Sequence, residues 1–106
     1  MKTISAPETY NLLVSNAAFV IDVRETGEYE QCHIDGTVLV PLSDLPRKIQ
    51  EIDIPDNKAI IFSCLKGGRS AEAIQYLSEN LLKDRELYNM EGGLVAWIKN
   101  DLPVVR

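Results

Sequence analysis

Ala59-Ile60-Ile61-Phe62-Ser63-Cys64-Leu65-Lys66-Gly67-Gly68-Arg69-Ser70 is the stretch that decides the fold. Ala59 to Ser63 form a nearly continuous apolar run, too unbroken for a strand with one wet face, and so predict a strand buried on both faces. Gly67 and Gly68 interrupt regular structure, and from Ser70 the pattern turns helical. Ala73, Leu77 and Leu81 fall on one face with Ile74 beside it, while Glu72, Glu79 and Lys83 fall on another. Strand, glycine loop and helix in succession belong to a parallel α/β sheet, whose ligand sites lie at the carboxyl ends of strands. Cys64 stands at such an end.

The rest of the chain repeats the alternation. Ser5 with Glu8 forms a capping box, and Pro7 suits the first turn of a helix that runs to near Ser15. Ala18 to Val23 reads as a second buried strand, Glu25 to Gln31 as a short helix, and His33-Ile34-Asp35-Gly36 as a turn. Thr37 to Val40 resumes extended chain until Pro41, and a helix follows in which Leu45, Ile49 and Ile52 share a stripe. Leu87 to Met90 is a weak last strand, Gly92-Gly93 a turn, and Leu94 to Lys99 a closing helix. The expected architecture is α/β, a small parallel twisted sheet of about five short strands flanked by helices on both faces. One domain over residues 1–106 is expected.

Composition narrows the function. A net charge of -5 and a pI near 4.8 leave no basic stripe for phosphate neutralisation, which argues against a nucleic-acid partner. No apolar run approaches the roughly 18 residues of a membrane span, and the start of the chain lacks a signal-peptide core. No membrane partner and a cytoplasmic location are therefore expected. In a reducing compartment the two cysteines, Cys32 and Cys64, have more use as thiols than as a disulfide, although spacing alone leaves the bridge open.

The commonest role of a cysteine is that of a small buried hydrophobe. Such a role gives no reason for two glycines, a guanidinium and a helix start directly afterwards. A loop curled by glycine can turn its N–H groups from Leu65 to Arg69 inward. Those donors, the helix dipole and the cations Lys66 and Arg69 together would lower a thiol pKa by about one to several units. They would also hold an anionic substrate, with the Leu65 and Lys66 side chains facing outward at the mouth.

These residues resemble the rhodanese family. Cys64-Leu65-Lys66-Gly67-Gly68-Arg69-Ser70 is similar to its active loop. Ile21-Asp22-Val23-Arg24, Glu28-Tyr29-Glu30 and His33-Ile34-Asp35-Gly36 are similar to its upstream motif, and Gly92-Gly93-Leu94-Val95-Ala96-Trp97 to its closing motif. The resemblance implies that Cys64 takes a sulfane sulfur from a small anionic donor such as thiosulfate and becomes a persulfide. It then passes the sulfur to cyanide, a thiol or a protein acceptor, with Leu65, Lys66, Gly67, Gly68 and Arg69 binding substrate and no metal or organic cofactor. A sulfur-delivery or protein-interaction module of the same fold is the alternative. Related dual-specificity phosphatases have five residues between Cys and Arg; here Cys64 and Arg69 enclose four, which favours sulfur over phosphate.

Around this loop, Asp22 and Arg24 are expected to pair and order its edge, and His33 to hold a turn rather than act as a base for Cys64. Cys32 stands where the family has a glycine, for which a strain on the order of 1 kcal/mol is expected. Nothing in the spacing brings Cys32 to Cys64 as a resolving thiol. Trp97, with Leu94 and Ile98, reads as core, and Glu25, Glu28 and Glu30 as a solvated helix face.

Overall fold

The computed structural model describes every residue from Met1 to Arg106. Five strands, β1 (Lys2–Ile4), β2 (Ala18–Asp22), β3 (Val38–Leu39), β4 (Ala59–Ser63) and β5 (Leu87–Met90), form one sheet in the order β1-β5-β4-β2-β3. Every pairing is parallel. The helices are α1 (Ala6–Val14), α2 (Thr26–Gln31), α3 (Leu45–Lys48), α4 (Gly68–Glu79) and α5 (Gly93–Lys99).

The strand alternation divides the core into two layers. Phe19, Ile21, Ile60 and Phe62 face the layer that holds Leu45 and Ile49 with Ala73, Ile74 and Leu77 of α4. Ala18, Val20 and Ile61 face the opposite layer, with Ala6, Leu94 and Trp97. Neighbouring residues of β2 and β4 thus go to opposite sides, as a continuous apolar run in a doubly covered sheet requires. Cys64 continues the Ile60–Phe62 side and is itself buried in the first layer.

Helix starts follow their local chemistry. Ser5 Oγ accepts from Glu8 N–H at 3.1 Å while Glu8 Oε1 accepts from Ser5 N–H at 3.1 Å, which completes the capping box of α1. α4 ends at Glu79, because Asn80 leaves helical geometry with φ -124° and ψ -83°. Leu81 therefore does not join the Ala73–Leu77 face; it is exposed, and Leu82 packs on the core instead. The stretch expected as one helix around Leu45 is α3 framed by 3-10 turns at Leu42–Asp44 and Ile49–Glu51. Leu45 and Ile49 are buried, whereas Ile52 lies beyond in extended chain.

Two further expectations are corrected. β1 was not anticipated, and it pairs with β5 in the register Lys2↔Tyr88 to Ile4↔Met90. Cys32 has φ -169° and ψ 130°, an extended conformation open to any residue, so replacing glycine there costs no left-handed strain. The turn's left-handed position is Gly36, at φ +86°.

Candidate active site

Strand β4 delivers Cys64 to the carboxyl edge of the sheet, where Ser63 lies in register with Asp22 at the end of β2. Three polar groups converge on Cys64 Sγ from the loop and the start of α4. Gly67 N–H donates to it at 3.1 Å and Ser70 N–H at 3.4 Å, and the Ser70 hydroxyl lies at 3.4 Å. Burial pushes the thiol pKa up. The Ser70 hydroxyl and the N–H groups of Ser70, Gly67 and Lys66 pull it down by more, so that Cys64 lies below the ordinary thiol range.

The loop's orientation comes from its carbonyls. Leu94 N–H donates to Cys64 O at 2.9 Å and Val95 N–H to Leu65 O at 3.0 Å, both from the first turn of α5. Every peptide here is trans. Each of these carbonyls therefore points opposite to the next residue's N–H, and anchoring Cys64 O and Leu65 O turns the N–H groups of Leu65 and Lys66 away from α5. Gly93 makes this approach possible. A Cβ at Gly93 would lie 2.5 Å from Cys64 O and 2.6 Å from Leu65 O, and its φ is +56°. The closing motif is thus a clamp on the loop rather than a turn alone.

The two loop glycines are not equivalent. Gly67 has φ +105°, a conformation that side chains with a Cβ rarely adopt. Gly68 opens α4 without positive φ, and a Cβ there meets nothing within 4 Å. The reading that both glycines are needed for the curl holds for Gly67 only. Gly67→Ala is expected to destabilise the protein by about 1–2 kcal/mol. Gly68→Ala is expected to leave it unchanged or stabilise it by up to about 1 kcal/mol. Urea midpoints would compare the two, and equal losses would contradict the assignment.

Arg69 has a partner that the sequence reading did not assign. Its Nη1 and Nη2 donate to Glu28 Oε1 and Oε2 at 2.7 and 2.9 Å, a bidentate pair between α4 and α2. Hydrogen bonding to Arg69, against the cost of burial and with help from Glu25 N–H, lowers the Glu28 pKa to about 2. Glu28 is therefore not a solvated face residue, and the charge of Arg69 is matched. Glu25 is also engaged, accepting from the Ser43 hydroxyl at 2.9 and 3.1 Å. Lys66, exposed and without an ion pair, is the loop's unmatched cation.

Asp22 and Arg24 are both buried. Arg24 Nε and Nη2 donate to the Asp22 carboxylate at 3.1 and 2.9 Å, and Nη2 also donates to Cys32 O at 2.7 Å. The pair ties the end of β2 to the end of α2, beneath the Glu28–Arg69 bridge. His33 Nδ1 is 2.8 Å from Tyr29 O, and its ring stacks on Tyr29 at 3.8 Å. That contact holds the turn, and His33 is not among the hydrogen-bond partners of Cys64 Sγ. Cys32 packs against the Trp97 layer, opposite the one that holds Cys64, and both cysteines are free. Trp97 is core: it is buried, edge-on to Tyr10, and donates from Nε1 to Pro103 O at 2.8 Å.

Two residues at the centre were not singled out from sequence: Ser70 and Asn89. Ser70 Oγ donates to Asn89 Oδ1 at 2.6 Å, and Asn89 Nδ2 donates to Gly67 O at 3.1 Å, which braces the loop from β5. Ser70 follows Arg69 directly and was visible in the loop motif; a polar Asn in a weak strand carried no signal. A surface cavity of about 450 Å³ lies elsewhere, lined by Tyr10, Leu13, Ile34, Trp97, Val104 and Val105 among others. It has no thiol and no cation, whereas a single sulfur atom needs only the ring of donors at the loop.

Residues 5–100 match the family described as the Rhodanese-like domain. The chain belongs to the rhodanese-like family. The thiosulfate sulfurtransferase GlpE of Pseudoalteromonas translucida is 30% identical over 96 residues, covering 91% of this chain and 88% of that protein. The probable adenylyltransferase/sulfurtransferase MoeZ of Mycobacterium tuberculosis is 33% identical over 84 residues; the match covers 79% of this chain but only 21% of MoeZ. Among solved structures, a rhodanese-related protein from Thermoplasma volcanium superposes with a TM-score of 0.85 at 30% identity, covering 99% of this chain and 98% of that one. The all-parallel sheet with its flanking helices is the fold of the family.

Proposed function

We propose that this rhodanese-like chain is a sulfurtransferase that carries sulfur as a persulfide on Cys64. The observation that carries the reading is the ring of donors around Cys64 Sγ, with Gly67 N–H at 3.1 Å and Ser70 N–H at 3.4 Å in a loop whose carbonyls are anchored the other way. Such a ring favours the thiolate and then the anionic persulfide. The names of its sulfurtransferase relatives support the same reaction class.

With thiosulfate as donor, the Cys64 thiolate attacks the sulfane sulfur. An S–S bond forms, the bond to the sulfonate sulfur breaks, and sulfite leaves with the electron pair. Cyanide or a thiolate then attacks the terminal sulfur, the S–S bond breaks, and the Cys64 thiolate returns. Thiocyanate or a new persulfide is released. The cycle has no net oxidation of the protein and calls on no metal or organic cofactor. It requires Cys64 reduced, which suits a cytoplasmic setting. Cys64 is only 1% exposed, so a donor must present a projecting sulfur rather than a bulky centre.

Initial rates of thiocyanate formation, with thiosulfate and cyanide varied together, test this reading. Parallel double-reciprocal lines are expected from a two-step carrier. Absence of thiocyanate would reject turnover on small donors. The same Cys64 delivering sulfur only from a protein persulfide would mark the delivery module instead. Phosphatase activity is disfavoured by the four-residue ring and by Glu28 already occupying Arg69.

Lys66, Arg69 and the loop N–H groups would draw an anionic donor, and with Arg69 paired the long-range attraction falls to Lys66. Lys66→Ala is expected to lower kcat/KM for thiosulfate by about three- to tenfold at low ionic strength and by little in high salt. Equal losses at both ionic strengths would contradict an electrostatic role.

A further inference from the structure

The Ser70 hydroxyl has one hydrogen and three acceptors within reach: Gly67 O at 3.1 Å, Asn89 Oδ1 at 2.6 Å and Cys64 Sγ at 3.4 Å. Gly67 O already accepts from Ala71 N–H at 3.2 Å and from Asn89 Nδ2 at 3.1 Å, which occupies both of its lone pairs. The choice is therefore between Asn89 and the sulfur. The Asn89 amide is not free to turn over, because Gly67 O can only accept and so requires the NH2 group on its side. Oδ1 must then face Ser70.

We propose that Asn89 is a positioning residue that acts through Ser70: its Oδ1 holds the hydroxyl hydrogen while the Cys64 sulfur is uncharged, and releases it to Sγ when that sulfur becomes a thiolate. In the thiol state the chain of donors runs from Cys64 S–H to Ser70 Oγ and from Ser70 O–H to Asn89 Oδ1. When the thiol proton leaves to solvent, the hydroxyl rotates and donates to Sγ. Asn89 Oδ1 then loses its partner in a residue only 8% exposed, so the same contact that orders the hydroxyl also makes ionisation harder.

The consequence for sulfur transfer rests on the persulfide reading. In the persulfide the charge sits on the terminal sulfur and the inner Sγ is neutral, so the hydroxyl returns to Asn89. When an acceptor takes the terminal sulfur, Sγ departs as a thiolate and receives the hydroxyl again. Ser70 thereby serves the leaving group of the second step, and Asn89 holds its hydrogen between steps.

The test is the ionisation of Cys64, followed by thiolate ultraviolet absorbance against pH with Cys32→Ser in every sample and the matching Cys64→Ser protein as blank. It needs no sulfur donor, so its failure is separate from failure of the transferase reading. Asn89→Ala and the similarly sized Asn89→Leu are each expected to lower the Cys64 pKa by about half to one unit. Ser70→Ala is expected to raise it by about one unit. In the Ser70→Ala background, either Asn89 substitution should add less than about 0.3 unit. A purely structural Asn89 predicts the opposite sign, because losing its tether on Gly67 O loosens the Gly67 N–H from the sulfur.

Other charges about Cys64, namely the Arg69–Glu28 and Asp22–Arg24 pairs and Lys66, are the same in every sample. A rise or no change on replacing Asn89 would overturn the proposal. A fall that persists undiminished without the Ser70 hydroxyl would also overturn it, as would an unshifted Ser70→Ala protein should the Asn89 variants fail to fold.

Discussion

Replacing Cys64 with serine is expected to reduce sulfur transfer at least about a thousandfold while leaving the fold intact, the scale on which loss of a covalent nucleophile acts. The substitution keeps size and buried position, and a hydroxyl still accepts from Gly67 and Ser70 N–H. It removes the one atom that ionises within this ring and bonds to sulfur. Thiocyanate formation measures the loss, and circular dichroism checks the fold. Retained activity would move the chemistry elsewhere, with Cys32 the remaining thiol. The position of Cys32 against the Trp97 layer, with its carbonyl held by Arg24, offers no comparable set of donors to its sulfur.

The second large effect is on stability. Gly93→Ala is expected to cost about 3 kcal/mol or more, because a Cβ at this position collides with backbone and also carries left-handed strain. Its nearest atoms would be Cys64 O at 2.5 Å and Leu65 O at 2.6 Å, neither of which can move without breaking the bonds from Leu94 and Val95 N–H. The first turn of α5 would have to lift from the loop. Urea unfolding should show a much lower midpoint than for Gly68→Ala, and the remaining folded protein should have a less acidic Cys64. An unfolding free energy within about 1 kcal/mol of that of the unsubstituted protein would contradict the clamp.

Much of the fold was legible because its central strands carry strong patterns. Ala18 to Asp22 and Ala59 to Ser63 are apolar enough to require cover on both faces, and the capping box of Ser5 and Glu8 marks the start of α1. β1 escaped notice because Lys2 and Thr3 are exposed and only Ile4 is partly buried. It is a strand by virtue of pairing with Tyr88 to Met90, a contact made across nearly the whole chain. Local pattern likewise overran the end of α4 at Leu81 and merged the broken turns around α3.

The site shows the same division. The loop motif drew attention to Cys64, Gly67 and Arg69 because their chemistry lies within a few residues. What sets their behaviour comes from afar: Glu28 pairs with Arg69 across 41 positions, and Asn89 reaches Ser70 across 19. An arginine read alone counts as a positive charge, but with a bidentate carboxylate it becomes a brace between α2 and α4. Asp22 and Arg24 were recognisable as a pair, yet their burial and the hold on Cys32 O depend on where α2 folds back.

The most direct test of the central claim is the intact mass of the purified protein after brief exposure to thiosulfate and removal of excess donor, followed by peptide mapping. A gain of one sulfur atom on the peptide containing Cys64, lost on adding cyanide with release of an equal amount of thiocyanate, is the predicted result. No gain in mass, or a gain that maps to Cys32 and survives Cys64→Ser, would contradict it.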